Sequence, residues 1–87
     1  MEGVIKKIDE TSQEYSMPKR VKNTLKHVSE ELKNKKADPA FKITASIYDI
    51  EEVASDINLP MHAKTALWDI ISDLEALKGN GGDNDRI

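Results

Sequence analysis

The sequence predicts an all-α protein, an up-and-down four-helix bundle made of two related helical hairpins. Three observations carry that expectation. Apolar residues recur in steps of three and four, at Ala40, Ile43, Ile47, Ile50, Ala54 and Ile57 and again at Ala63, Leu67, Ile70, Leu74 and Leu77. Such steps draw one stripe along one side of a helix, and a stripe has to bury against something. Short breaks at Ser16-Met17-Pro18, Asp38-Pro39 and Asn58-Leu59-Pro60 divide the chain into four such segments. A shift of 42 residues then lays Ile5 on Ile47, Ile8 on Ile50, Glu10 on Glu52 and Pro18 on Pro60. The same shift matches Lys22 with Lys64, Leu25 with Leu67, Leu32 with Leu74 and Lys36 with Lys78, so the first hairpin reads as a copy of the second.

Taken in order, the first helix is expected over residues 3–15, with Val4, Ile5 and Ile8 apolar and Tyr15 closing the stripe. Thr11, Ser12 and Gln13 dilute it. Ser16 is a candidate N-cap for a second helix over 18–33, with Pro18 in the first turn, where a missing N–H costs nothing. Val21, Leu25, Val28 and Leu32 are its apolar positions. Asp38 as cap and Pro39 as first helical residue start the third helix, and Asn58 and Pro60 repeat the device for the fourth. Lys78-Gly79 should end that helix, a basic last turn followed by a glycine in the left-handed position. Residues 1–78 then form a single domain, and 79–87, glycine-rich and polar, a disordered C-terminal tail. Three short connections make consecutive helices antiparallel neighbours.

The chain has 87 residues and no cysteine, so no disulfide or thiolate metal site can brace its small core. A 9.8 kDa chain buries only roughly 64% of the surface it exposes unfolded. No secretory signal and no run of about 18 apolar residues is present, and a cytoplasmic setting is expected. Charge is uneven. Residues 1–36 hold nine Lys and Arg against six Asp and Glu, a net of +3; residues 37–78 hold three against eight, a net of −5. The two halves are therefore expected to attract each other, or the basic one an acidic partner.

The run Ile57-Asn58-Leu59-Pro60-Met61-His62-Ala63-Lys64-Thr65, followed by Trp68, Ile70-Ile71-Ser72 and Leu74-Glu75, resembles the signature of Uncharacterised Protein Family 0147, an archaeal group. Tyr15-Ser16-Met17-Pro18-Lys19-Arg20-Val21 and Ala45-Ser46-Ile47-Tyr48 resemble the same family. The likeness covers about residues 1–78 and is weakest in the first helix and the tail. It implies a small all-helical cytoplasmic protein of unassigned activity, and it carries over no catalytic or ligand residue.

The constellations able to do chemistry are thin. His27 and His62 stand far apart in sequence, and the Glu-x-x-His order of di-iron bundles is missing, so neither metal nor cofactor is expected. Asp69 and Asp73 share a helical face, as do Glu51, Glu52 and Asp56, but the stripes assign them to solvent or its margin. An enzyme would have to combine these carboxylates with His27. No catalytic residue is assigned and enzymatic activity is not expected.

Two surface stripes remain. Lys19, Lys22, Lys26 and Lys33 share one strip of the second helix, a ridge able to meet phosphates. No aromatic interleaves with it and the whole protein carries a net charge of −3, so nucleic-acid association is the alternative reading. The other stripe is aromatic. At 100° per residue Trp68 lies about 135° from the centre of its helix's seam, with Ile71 between, and Phe41 and Tyr48 lie similarly far from theirs. Under the 42-residue shift Lys26 matches Trp68 and Lys6 matches Tyr48. Phe41, Tyr48, Trp68 and Ile71 are therefore the expected partner interface of a non-enzymatic interaction or structural module, serving a homo-oligomer (a dimer) or another protein.

Overall fold

The computed structural model describes residues 1–82, with side-chain surroundings through Lys78. Four helices follow one another, α1 Glu2–Ser12, α2 Lys19–Lys33, α3 Pro39–Ala54 and α4 Met61–Gly82, and no strand occurs among the described residues. Helix α2 packs between α1 and α3, α3 packs on α4, and α1 closes the ring against α4 through a slimmer contact. This is the up-and-down bundle that the three short connections dictate.

The core is a continuous cluster contributed by all four helices. At its centre Ile8, Leu25, Ile50 and Leu67 are wholly excluded from solvent, and Val21, Val28, Ile70 and Leu74 extend that layer along the axis. Ile8 and Leu25 become Ile50 and Leu67 on adding 42, so the middle of the core is built from one pair of positions used twice. Met17 is buried and its counterpart Leu59 packs against the cluster, so each turn between hairpin helices plugs one end.

The turns share several backbone bonds. The Glu14 N–H donates to the Thr11 carbonyl (3.1 Å) and the Met17 N–H to the Glu14 carbonyl (3.2 Å). Forty-two residues on, the Asp56 N–H donates to Val53 (3.1 Å) and the Leu59 N–H to Asp56 (3.2 Å). The first helical bonds then run from Lys22 N–H to the Pro18 carbonyl (3.0 Å) and from Lys64 N–H to the Pro60 carbonyl (3.1 Å). Both prolines sit one residue earlier than expected, at the boundary rather than in the first turn. Ser16 therefore does not cap α2, and Asp38 stands at the N-cap of α3 without a side-chain bond.

Two stripes were drawn too long. Helix α1 ends at Ser12 and α3 at Ala54, which leaves Tyr15 99% and Ile57 87% exposed in equivalent places in the two turns. Periodicity continued past the helix ends because nothing in a 3.6-residue pattern marks where backbone bonding stops. The stop at Ile57 comes from Asp56, whose side chain accepts from the Asn58 N–H (2.9 Å) and turns the chain. At the other end α4 runs past Gly79 to Gly82, and no described glycine has a positive φ. Glycine weakens a helix by about 1 kcal/mol relative to alanine but raises no steric bar to it. Residues 83–87 of the expected tail lie outside the described residues.

Five polar residues are buried among the described ones, Thr11, Ser12, Ser29, Lys42 and Ser46. Lys42 is buried, its methylenes on the core and its Nζ donating to the Asn34 carbonyl at the end of α2 (2.8 Å), which pins the α2–α3 connection. Ser46, one turn on, is buried and its hydroxyl has no partner.

Leu67→Ala or Ile50→Ala is expected to cost about 2–5 kcal/mol in denaturant unfolding, as deletions from a packed core do; a smaller loss would mean the seam collapses around the gap. Ser46→Ala is expected to raise stability by about 1 kcal/mol, since it removes an unsatisfied buried hydroxyl. A loss of stability on that substitution would show that the hydroxyl is bonded in solution.

Candidate functional site

Pairs of side chains fix which flank of each helix faces which neighbour. On α3, Lys42 reaches the end of α2, and Asp49 lies 3.9 Å from His27 of α2. At 100° per residue, Phe41 and Tyr48 then project outward, on the side of α3 away from α2. On α4, Lys7 of α1 bonds Asp69 (2.5 Å) and Asp73 (2.8 Å), which turns the opposite flank of α4, with Trp68, toward α3. Tyr48 lies six residues before the end of α3 and Trp68 seven after the start of α4, so the antiparallel hairpin brings them level. Phe41, Tyr48 and Trp68 are 66, 67 and 49% exposed, and helical projection puts all three on the outer side of the second hairpin. Met61, also exposed, extends the Trp68 stripe by two turns.

Ile71 does not belong to it. The expected fourth member of the face is 1% exposed and lies in the core. Helix α4 meets two neighbours, so its buried arc is wider than a single three-four stripe, and Ile71 fills the flank under α3. Its counterpart Ser29 is buried too, which the 42-residue register shows directly.

The lysine ridge is only partly free. Lys19, Lys22 and Lys26 make no ion pair among the described residues, whereas Lys33 bonds Asp9 (3.2 Å). Asp9 also accepts from the Ser29 hydroxyl (2.5 Å). That bond first, and Lys33 after it, hold the Asp9 carboxyl below its ordinary pKa of 3.8 against the opposing pull of desolvation. Conversely Asp69, and then Asp73, hold the Lys7 ammonium above its ordinary value. The carboxylates an enzyme would need are thus dispersed. Asp69 and Asp73 face Lys7 on one seam, His27 and Asp49 face each other on another, and Asp56 bonds Arg20 (2.8 Å). His62 donates from Nε2 to the Ser16 carbonyl (3.1 Å) and faces no carboxylate. Among the described residues no three His, Asp or Glu side chains converge as a metal site would require, and no helix is long and apolar enough to cross a membrane.

Residues 1–77 match the model of the uncharacterised protein family UPF0147. The chain belongs to that family. A UPF0147 protein of Pyrococcus furiosus is 29% identical over 70 residues, spanning 80% of this chain and 75% of the relative. A UPF0147 protein of Methanocaldococcus jannaschii is 26% identical over 78 residues, spanning 90% and 84%. The crystal structure of a UPF0147 protein from Thermoplasma acidophilum superposes with a TM-score of 0.83 at 32% identity, over 87% of this chain and 89% of that one. A second solved structure, of a protein of unknown function, shares the fold with a TM-score of 0.77. UPF0147 membership thus accounts for the fold and brings no assigned activity with it.

The sequence reasoning missed the bonds of Asp9 and Lys42. Lys42 had a signal, since it stands beside Ile43 and one turn before Ser46 on the flank that faces α2.

Because the folded pKa of Asp9 is depressed, its contribution to stability is present above the unfolded value and is lost as pH falls through the folded one, below about pH 4. Ser29→Ala should move the Asp9 midpoint up toward 3.8 when the carboxyl is followed by NMR. An unmoved midpoint would mean that Lys33 sets it.

Proposed function

We propose that the protein is a non-enzymatic interaction module that associates with a second copy of itself through the outer face of α3 and α4. Phe41, Tyr48 and Trp68 are the anchors, and Ile71 backs them from within the core. The observation that carries this reading is the exposure of three aromatic rings on one hairpin, where the equivalent hairpin carries Lys6 and Lys26. Isolated exposed apolar residues need no explanation, but a contiguous aromatic face on a small chain marks an interface, and aromatic side chains dominate interface energetics. A cytoplasmic setting belongs to the same reading, because a chain without cysteine suits a reducing compartment. Nucleic-acid binding through Lys19, Lys22, Lys26 and Lys33 is supported less well, since Asp9 already neutralises Lys33 and Glu30 borders the ridge.

Light scattering over a dilution series tests it. The wild type should exceed one protomer in mass, and Trp68→Ala should return it to one while costing much less stability than Leu67→Ala. Trp68 is the only tryptophan, so its emission should shift to the blue and resist acrylamide as concentration rises. An unchanged mass in Trp68→Ala would overturn the reading.

A further inference from the structure

We infer that a second copy of this chain docks head to tail, the aromatic face on α3 and α4 of one protomer seating in the groove between α1 and α2 of the next. This rests on the self-association reading and adds the surface that receives the face. An open groove of about 360 Å³ runs along the outer side of the first hairpin, lined by Ile5, Lys6, Asp9, Gln13 and Lys33 among others. Ile5 is its apolar residue, Glu2 and Glu10 line it as well, and Asp9 is already paired with Lys33, so the groove has room for an aromatic ring beside Ile5 and Lys6. In the second hairpin the positions of Ile5, Lys6 and Gln13 are held by Ile47, Tyr48 and Ser55, so Tyr48 projects where the first hairpin has Lys6 beside its groove. The two hairpins share one backbone plan, lie on opposite sides of the molecule, and present a ridge on one side and a furrow on the other.

Charge points the same way. In the second hairpin the carboxylates turned toward the first are engaged, Asp69 and Asp73 with Lys7 and Asp56 with Arg20, and Asp49 faces His27. Glu51, Glu52 and Glu75 make no ion pair among the described residues; by helical projection Glu51 and Glu75 border the aromatic face, and Glu52 stands between that face and the α2–α3 cleft, which it lines with His27 and Asp49. On the first hairpin Lys6, Lys19, Lys22 and Lys26 make none either, and on the same outer side they outnumber Glu2, Glu10 and Glu30. Head-to-tail docking sets those lysines against the free glutamates and places ammonium groups over aromatic rings, both favourable. A symmetric pairing of two aromatic faces would instead bring Glu51 and Glu75 against their own copies, with Lys64 the nearest cation on that side. Like charges facing each other count against it. A heterologous contact does not close on itself at two protomers.

Sedimentation equilibrium on wild type, Trp68→Ala, the double variant Lys6→Glu/Lys26→Glu, and an equimolar mixture of the two variants decides the matter. The wild-type mass should climb past two protomers with concentration and fall as salt is added. Each variant alone should stay at one protomer. Their mixture should give a one-to-one dimer and nothing larger, because each supplies the face the other lacks. A wild type that stops at two protomers, or a lysine variant that assembles as the wild type does while Trp68→Ala does not, would overturn the head-to-tail arrangement and leave the aromatic-face reading standing. A monomeric wild type, or full assembly in both variants, would overturn both.

Discussion

Neither hairpin can bury its own apolar stripe, and every other feature of the molecule follows from the way each covers the other. Ile8 and Leu25 meet Ile50 and Leu67 in one layer from which water is excluded. With the layer built from the same two positions in each copy, the hairpins are held in a near-twofold relation about it. The seams show this relation in their side chains. Lys7 against Asp69 on the α1–α4 seam corresponds, position for position, to Asp49 against His27 on the α3–α2 seam, with the carboxylate on the other partner. Arg20 and His62, equivalent positions, each reach into the turn of the opposite hairpin, one to Asp56 and the other to the Ser16 carbonyl.

These seam contacts orient more than they stabilise. Asp69 and Arg20 are exposed and Lys7 half-exposed, and pairs near the surface are worth about 0–1 kcal/mol each. One core leucine outweighs several of them. Their value is in direction, because a basic first half and an acidic second half meet along the two seams and so favour hairpin against hairpin over slipped registers. The slim α1–α4 contact is where this matters most. Helix α1 is only 11 residues long against 22 in α4, and a single lysine there spans two carboxylates one turn apart.

Much of this was legible in the sequence because it depends on periodicity. Three-four steps located the helices, prolines located the breaks, and the 42-residue register foretold a bundle of two related hairpins. What failed was whatever depends on a neighbour. Ile57 and Tyr15 continue their stripes on paper, but Asp56 and the repeated turn bonds end those helices first. Ile71 looks marginal on an isolated helix and is buried in the shared core, where α4 meets two neighbouring helices. Lys33 looks like part of a free ridge, yet Asp9 lies across the α1–α2 seam from it, a pairing no reading of α2 alone can reveal. Phe41 and Tyr48 are largely exposed and Trp68 is half exposed, as their angular distance from the stripes leads one to expect.

The shared backbone plan also limits how the two outer faces can have come to differ. The core positions 8, 25, 50 and 67 are held by packing, and a change at any one is paid in stability. Positions 6, 26, 48 and 68 face outward, where substitution of a well-solvated side chain shifts stability by only about 0.5 kcal/mol. Lysine at the first two and aromatic residues at the others therefore have no cause in the fold, which would stand equally well with lysine at all four. An aromatic ring left half in water gains only part of its burial energy from this bundle, and lysine keeps a surface soluble at less risk. The asymmetry lies where folding is indifferent and association is not. Self-association, as proposed above, would use that asymmetry.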